Sequence, residues 1–125
     1  MEKDTIGRRR WAIAEGYLPG WSNGPDELAS HETCCVLNAG DTDANVEITI
    51  YFEDREPAGP FRVTVPARRT KHLRFDDLDD PEKLPRATPY ASVIEADGPI
   101  VVQHSRLDSR QAENALMTTI AWPAD

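Results

Sequence analysis

Five cations and no acid lie between Phe61 and Phe75: Arg62, Arg68, Arg69, Lys71 and Arg74. The next eight residues, Asp76 to Lys83, hold five acids and one base. Such a pair of segments supports two chemistries. Loop carboxylates can screen strand cations on a solvated face, or the strand can form a site for an anion or an acidic partner. Both readings stay open at this stage. The three histidines, His31, His72 and His104, are far apart in sequence. A zinc site needs three or four converging ligands, and no H-x-H or H-x₃-H spacing is present, so no metal is expected. Cys34 and Cys35 are adjacent within an apolar run. Successive strand positions point to opposite faces, so these thiols are expected to be reduced, structural and non-catalytic. No G-x-S-x-G turn and no glycine-rich phosphate loop occurs. No catalytic residue and no cofactor is therefore expected.

The segment from Pro99 to Arg110 is the richest in hydrogen-bonding ends. It begins as an apolar run, Ile100-Val101-Val102, and continues Gln103-His104-Ser105-Arg106-Leu107-Asp108. Gln103, His104, Arg106 and Asp108 can line a pocket at one end of a sheet, or lock an internal polar network. Glu15, after the apolar Trp11 to Ala14, is a strand-end carboxylate that can orient a ligand or simply face water. The basic strand 68–74 and the segment 103–108 are expected to share one polar face, with Arg69, His72, Gln103, His104, Arg106 and Asp108 converging.

Strands must hold these groups. Ala44, Val46, Ile48, Ile50 and Phe52 alternate with Asn45, Glu47, Thr49 and Tyr51, the period-two signature of a half-buried strand. Phe61 to Val65 repeats the pattern, and Thr70 to Phe75 follows it. Trp11 to Glu15, Thr33 to Asn38, Tyr90 to Ala96, Ile100 to Leu107 and Leu116 to Trp122 complete the set. Turns are expected at Asn38 to Asp41, Pro57 to Pro60 and Asp97-Gly98-Pro99. The last of these would separate two strands. Ser109 to Leu116 has room for a single helical turn capped by Asp108. About eight short strands with such turns predict an all-β, antiparallel β-sandwich in a single domain. Val46, Ile48, Ile50, Val63, Val65, Leu73 and Val102 are the expected core. Residues 1–6 read as a flexible tail and 7–125 as the domain.

Bulk charge narrows the partners. The 125 residues carry 14 Lys and Arg against 22 Asp and Glu, a net charge of −8. That balance disfavours DNA binding and the coating of an anionic membrane. No apolar run is long enough to span a bilayer, and no secretory signal is visible, so a cytoplasmic location is expected.

Read in order, WAIAEGY (11–17), SNGP (22–25), SHET (30–33), LNAGD (37–41), VEITIYF (46–52), VPARRTKHLRF (65–75), ASVIEADGPIVVQH (91–104) and RLDSRQAENAL (106–116) closely resemble the sensory rhodopsin transducer family. The resemblance covers residues 7 to 122 and departs around Leu18 to Ala29 and Asp79 to Thr88. It implies a small β-sandwich, a cytosolic homotetramer, and protein–protein relay of the state of a membrane-embedded sensory rhodopsin, without enzymatic activity. DNA binding has also been proposed for the family. The alternative it leaves is a small-molecule, sugar-like binding sensory module. Within the matching motifs, His31, Glu32, Arg69, His72, Gln103, His104, Arg106 and Asp108 are the ligand- or partner-binding candidates. Trp11, Trp21 and Trp122 lie near segment ends, where aromatic side chains can anchor contacts.

Overall fold

The computed structural model describes residues 5–25, 28–111 and 113–124. It is all-β. The strands are β1 (Arg8–Tyr17), β2 (His31–Asn38), β3 (Ala44–Phe52), β4 (Ala58–Val65), β5 (Arg69–Arg74), β6 (Pro89–Asp108), β7 (Ala115–Ile120) and β8 (Trp122–Pro123). A 3-10 turn, Phe75–Asp77, follows β5 and buries Phe75. Every pairing between strands is antiparallel.

The 20-residue β6 organises the fold. Its first half pairs with β3 and β1, giving one sheet in the order β4-β3-β6-β1-β8. Its second half pairs with β2 and β7, giving a second sheet in the order β5-β2-β6-β7. The inner faces of both sheets enter one core, which includes Ile48, Ile50, Phe61 and Ile94 from the first sheet and Cys34, Val36 and Val102 from the second.

The expected turn at Asp97-Gly98-Pro99 does not form a hairpin, because residues on its two sides pair with neighbouring strands instead of with each other. Arg10 of β1 lies opposite Glu95, while Arg8 lies opposite Ile100. In the ladder with β1, residues 96–99 are thus surplus and make a bulge, the place where Gly and Pro are tolerated inside a strand. The Asp97 carboxylate ties the bulge to β3 by accepting hydrogen bonds from the backbone N–H and Nδ2 of Asn45, at 2.9 and 2.8 Å. The first of these bonds, then the second, holds the Asp97 pKa below the usual carboxylate value.

Other boundaries also move. β4 begins at Ala58, so Gly59 and Pro60 belong to the strand and not to a hairpin loop. Among the described residues no helical turn follows Asp108. Its Oδ1 accepts the backbone N–H of Arg110 at 3.1 Å in a short turn, and the chain re-enters a strand at Ala115. The expected strand 116–122 divides into β7 and β8 at the buried Ala121, whose N–H donates to the Val102 carbonyl at 3.0 Å. Of the expected core, Val46, Ile48, Ile50, Val65 and Val102 are buried. Val63 and Leu73 only pack against its margin, since β4 and β5 are the outer strands of their sheets. Trp11 is buried and donates its indole N–H to the carbonyls of Arg8 and Ile100, so it anchors the core and not an outside contact.

Candidate functional site

β2 and the second half of β6 run side by side with Glu32 opposite Arg106, Cys34 opposite His104 and Val36 opposite Val102. Cys34, Val36, Val102 and His104 are all buried. This row therefore faces inward, and Glu32 and Arg106 lie at its end nearest β1. Glu32 is fully buried, an expensive position for a carboxylate without partners. Its partners are complete. His104 Nε2 donates to Oε1 at 2.6 Å. Oε2 accepts the backbone N–H of Tyr17 and two N–H groups of Arg106, Nη2 at 3.0 Å and Nε at 3.3 Å. Arg106 Nη2 also donates to Glu15 of β1. The cluster thus ties the β1 edge of one sheet to the centre of the other. Burial alone would lower the Arg106 pKa, but the bonds and charges of Glu15 and Glu32 outweigh it and raise the value.

Tyr90 and Gly16 complete the inner wall beside this cluster. A Cβ on Gly16 would sit 2.4 Å from the Tyr90 ring, so only glycine lets the ring cross β1 there. Burial, then the charge of Glu32, pushes the Tyr90 phenol above its ordinary pKa.

Beyond the cluster the molecule opens. A cleft of about 410 Å³ runs between β1 and the β7–β8 segment. Glu15, His104, Arg106 and Thr119 supply its polar lining, and Ile13, Met117, Ile120 and Trp122 most of the rest. A larger hollow, about 600 Å³, lies on the other face of the first sheet. Its polar groups are already engaged with one another: Arg62 with Glu47 at 3.2 Å, Thr64 with Asn45 at 3.1 Å, and Asn45 with Asp97.

The expected site residues divide into groups. Glu32, His104 and Arg106 converge. His31 is half-buried at the start of β2, with Nδ1 bonded to the Ala29 carbonyl at 2.9 Å, and it borders a separate hollow on the other side of Arg106. Asp108 pairs with Arg110 at 2.8 Å, which holds its pKa below the usual carboxylate value. Gln103 and His72 flank Cys35 in one cross-strand row on the outward face, away from Glu32 and His104. Arg69 lies at the far end of β5, opposite Asn38. With β2 between them, β5 and β6 are about 10 Å apart. The expected residues of the strand 68–74 and the segment 103–108 thus divide between two faces, His72 and Gln103 outward and His104 inward. Glu15, Tyr17 and the β7–β8 wall complete the cleft but carry no motif. The position of Glu15 after an apolar run is their one trace in the sequence.

The basic strand and acidic loop are only partly self-paired. Arg74 bonds Asp76 at 2.6 Å, and Arg55 of the β3–β4 loop bonds Glu82 at 3.0 Å. Arg62 and Arg68 pair with Glu47 and Asp41 instead. Among the described residues no acid lies within ion-pair distance of Arg69 or Lys71, and none of the described histidines, cysteines and acids group in threes that could hold a metal. Cys34 and Cys35 are free thiols, the first buried and the second partly so. No described helix is long and apolar enough to cross a membrane.

Comparison with known proteins places this geometry. The family model described as Anabaena sensory rhodopsin transducer matches residues 6–123. The chain belongs to that family. A solved structure titled "Anabaena sensory rhodopsin transducer" is 64% identical, with 80% of this chain and 98% of that one aligned and a TM-score of 0.73. A second, titled "Crystal Structure of Thermotoga maritima 1070", is 36% identical over 94% of this chain and 96% of that one, with a TM-score of 0.84. Among curated proteins none matches. The family match spans the whole cluster and cleft, from Glu15 on β1 to Trp122 on β8.

Proposed function

We propose that this protein is a cytoplasmic signal transducer that acts by binding, without catalysis, and relays the state of a membrane-embedded sensory rhodopsin. The carrying observation is the 64% identity across 98% of a chain named as such a transducer. The acidic surface supports the reading. Asp76 and Glu82 are engaged within the protein, while Asp77, Asp79 and Asp80 are exposed on the same loop. Cytoplasmic loops of membrane proteins are enriched in Lys and Arg, a complementary surface. A chain of net charge −8 is repelled by an anionic leaflet and needs a receptor of this kind to reach it. DNA is disfavoured as a partner on the same ground. The working form in this proposal is a homotetramer. Its motive is the outermost strand of the second sheet, β7, where every residue from Ala115 to Ile120 is exposed, Leu116 and Ile120 among them. An uncovered apolar edge strand is ready to pair with another copy.

Calorimetry against the detergent-solubilised sensory rhodopsin of the same organism, in the dark and in light, tests the relay. Binding at low salt that weakens at high salt is expected. No heat at low salt discards it.

A second reading is favoured by one specific observation, the cleft of about 410 Å³ with a charged floor. Its volume is typical of small-molecule sites. On that reading the protein is a small-molecule-binding sensory module.

A further inference from the structure

The charges at the floor of the β1–β7 cleft are not equally available. Glu32 is enclosed, and both its oxygens are occupied, by His104 on one side and by Tyr17 and Arg106 on the other. Arg106 divides its guanidinium between Glu32 and Glu15. Glu15 differs. Its side chain is 64% exposed, and only Oε2 is engaged among the described residues. The charge that the cleft still offers is therefore negative. Trp122, in the same lining, is 72% exposed and presents an indole. The face of an indole attracts cations. Ile13, Met117 and Ile120, together with three alanines, make the remaining wall apolar.

Three ligand chemistries can be weighed against this wall. A carboxylate would meet Glu15, and Arg106, with Nε and Nη2 already bonded, shares its charge between two carboxylates. Beyond the carboxylates and Arg106, a sugar would find few polar side chains, Thr119 and His104, for its many hydroxyls. An ammonium ion with a hydrocarbon body matches both parts, the free carboxylate and indole with its head and the apolar wall with its body.

We propose that the cleft binds a small organic ammonium ion, with its charged head against Glu15 and Trp122 and its hydrocarbon body along Ile13, Met117 and Ile120. The proposal rests on the small-molecule reading of the cleft and names its ligand class. The head adds a charge-assisted hydrogen bond to the unengaged carboxylate oxygen, and the body leaves water for apolar surface.

The test uses three probes with one phenylethyl body: 2-phenylethylammonium, 2-phenylethanol and 3-phenylpropionate. Each is titrated into the ¹⁵N-labelled full chain at low salt and followed by NMR. The ammonium is expected to bind at least tenfold tighter than the alcohol, with shifts centred on Glu15, Met117 and the Trp122 indole, and the carboxylate not to bind. Glu15→Gln is expected to weaken the ammonium at least tenfold and leave the alcohol unchanged. Should that variant fail to fold, Trp122→Ala, at an exposed position, carries the test through at least a threefold loss for the ammonium. Alcohol or carboxylate binding in the cleft as tightly as the ammonium overturns the ligand class and leaves the small-molecule reading standing. No shift in the cleft with any probe, the result expected if a second copy of the chain fills it, overturns both.

Discussion

Tyr90 to Ala96 and Val101 to Asp108 are two halves of one strand, each with an antiparallel partner on both sides, yet they bury different chemistry. The first half turns Tyr90, Ser92 and Ile94 inward between β3 and β1. Its interior is closed and mostly apolar, and it holds two hydroxyls, Tyr90 Oη and Ser92 Oγ, that have no partner among the described residues. The second half turns Val102 and His104 inward, with Arg106 at the end of the row, between β2 and an edge strand exposed throughout. There each charged group has its partners. The contrast follows from cost. A buried neutral hydroxyl without a partner costs about 1–3 kcal/mol, which a closed core absorbs. A buried carboxylate without one costs far more, so Glu32 can exist only with its bonds made.

The largest expected effect tests that difference directly. Glu32→Ala leaves the His104 N–H and the Tyr17 N–H without their acceptor and the Arg106 guanidinium with Glu15 alone. It is expected to cost about 3–5 kcal/mol in urea unfolding, the range for breaking a buried pair. A loss below about 1 kcal/mol would mean that water already reaches the cluster and that the two halves are alike.

In the closed half, Ile94→Ala is expected to cost about 2–5 kcal/mol through lost burial and the cavity left behind. Its neighbour behaves oppositely. Ser92→Ala removes a hydroxyl that makes no bond among the described residues, so it is expected to be neutral or to stabilise by up to about 1 kcal/mol. A clear loss there would reveal a partner for Ser92 and erase the contrast.

Much of this was legible from the residues, and the boundary of what was legible has a physical cause. The alternation from Ala44 to Phe52 gave the correct faces because each side chain's fate depends on its immediate neighbours. The segment after Ile100-Val101-Val102 likewise named His104 and Arg106 as polar groups, while Glu32 was named only through the family resemblance, inside SHET (30–33). Reading from the residues failed at Asp97-Gly98-Pro99, since a hairpin and a bulge use the same residues and only the partners of the flanking strands distinguish them. It failed again in joining Arg69 and His72 to His104. Those side chains share a sheet, but parity sets His72 on the opposite face, and register sets Arg69 two strands away at the far end of β5; neither is written in one strand's sequence. The cleft wall was invisible for a similar reason. Leu116 to Trp122 read as an ordinary apolar strand, and the exposure of β7 within it follows from its place at the edge.

Cys34 extends the comparison to pH. It lies in the inward row with His104, and burial, then the neighbouring Cys35, pushes its thiol up from 9.0 to about 12. The neutral thiol is the form the fold favours. Stability from this group is complete below the unfolded value near 9 and declines as pH rises from there to about 12. Cys34→Ala is expected to remove that alkaline slope from the urea midpoint. In the native protein Cys35 should react with a thiol reagent well before Cys34. Equal rates would place both thiols in water and contradict the inward row.

The smallest effect on the fold falls on the open side. Leu116 is 81% exposed on β7 and touches little in the single chain. Leu116→Lys is therefore expected to change the stability of the isolated chain by no more than about 0.5 kcal/mol. Its effect on assembly should be large, because a lysine on an edge strand blocks pairing with a second edge. Sedimentation at micromolar concentration is expected to give about four times the 14.0 kDa chain mass for the parent protein, and a lower mass for the variant. A parent tetramer whose mass survives the substitution would move the interface away from β7. The exposure of that strand would then point to a partner other than a second copy, and the open half of β6 would face outward in the assembly as it does in the single chain.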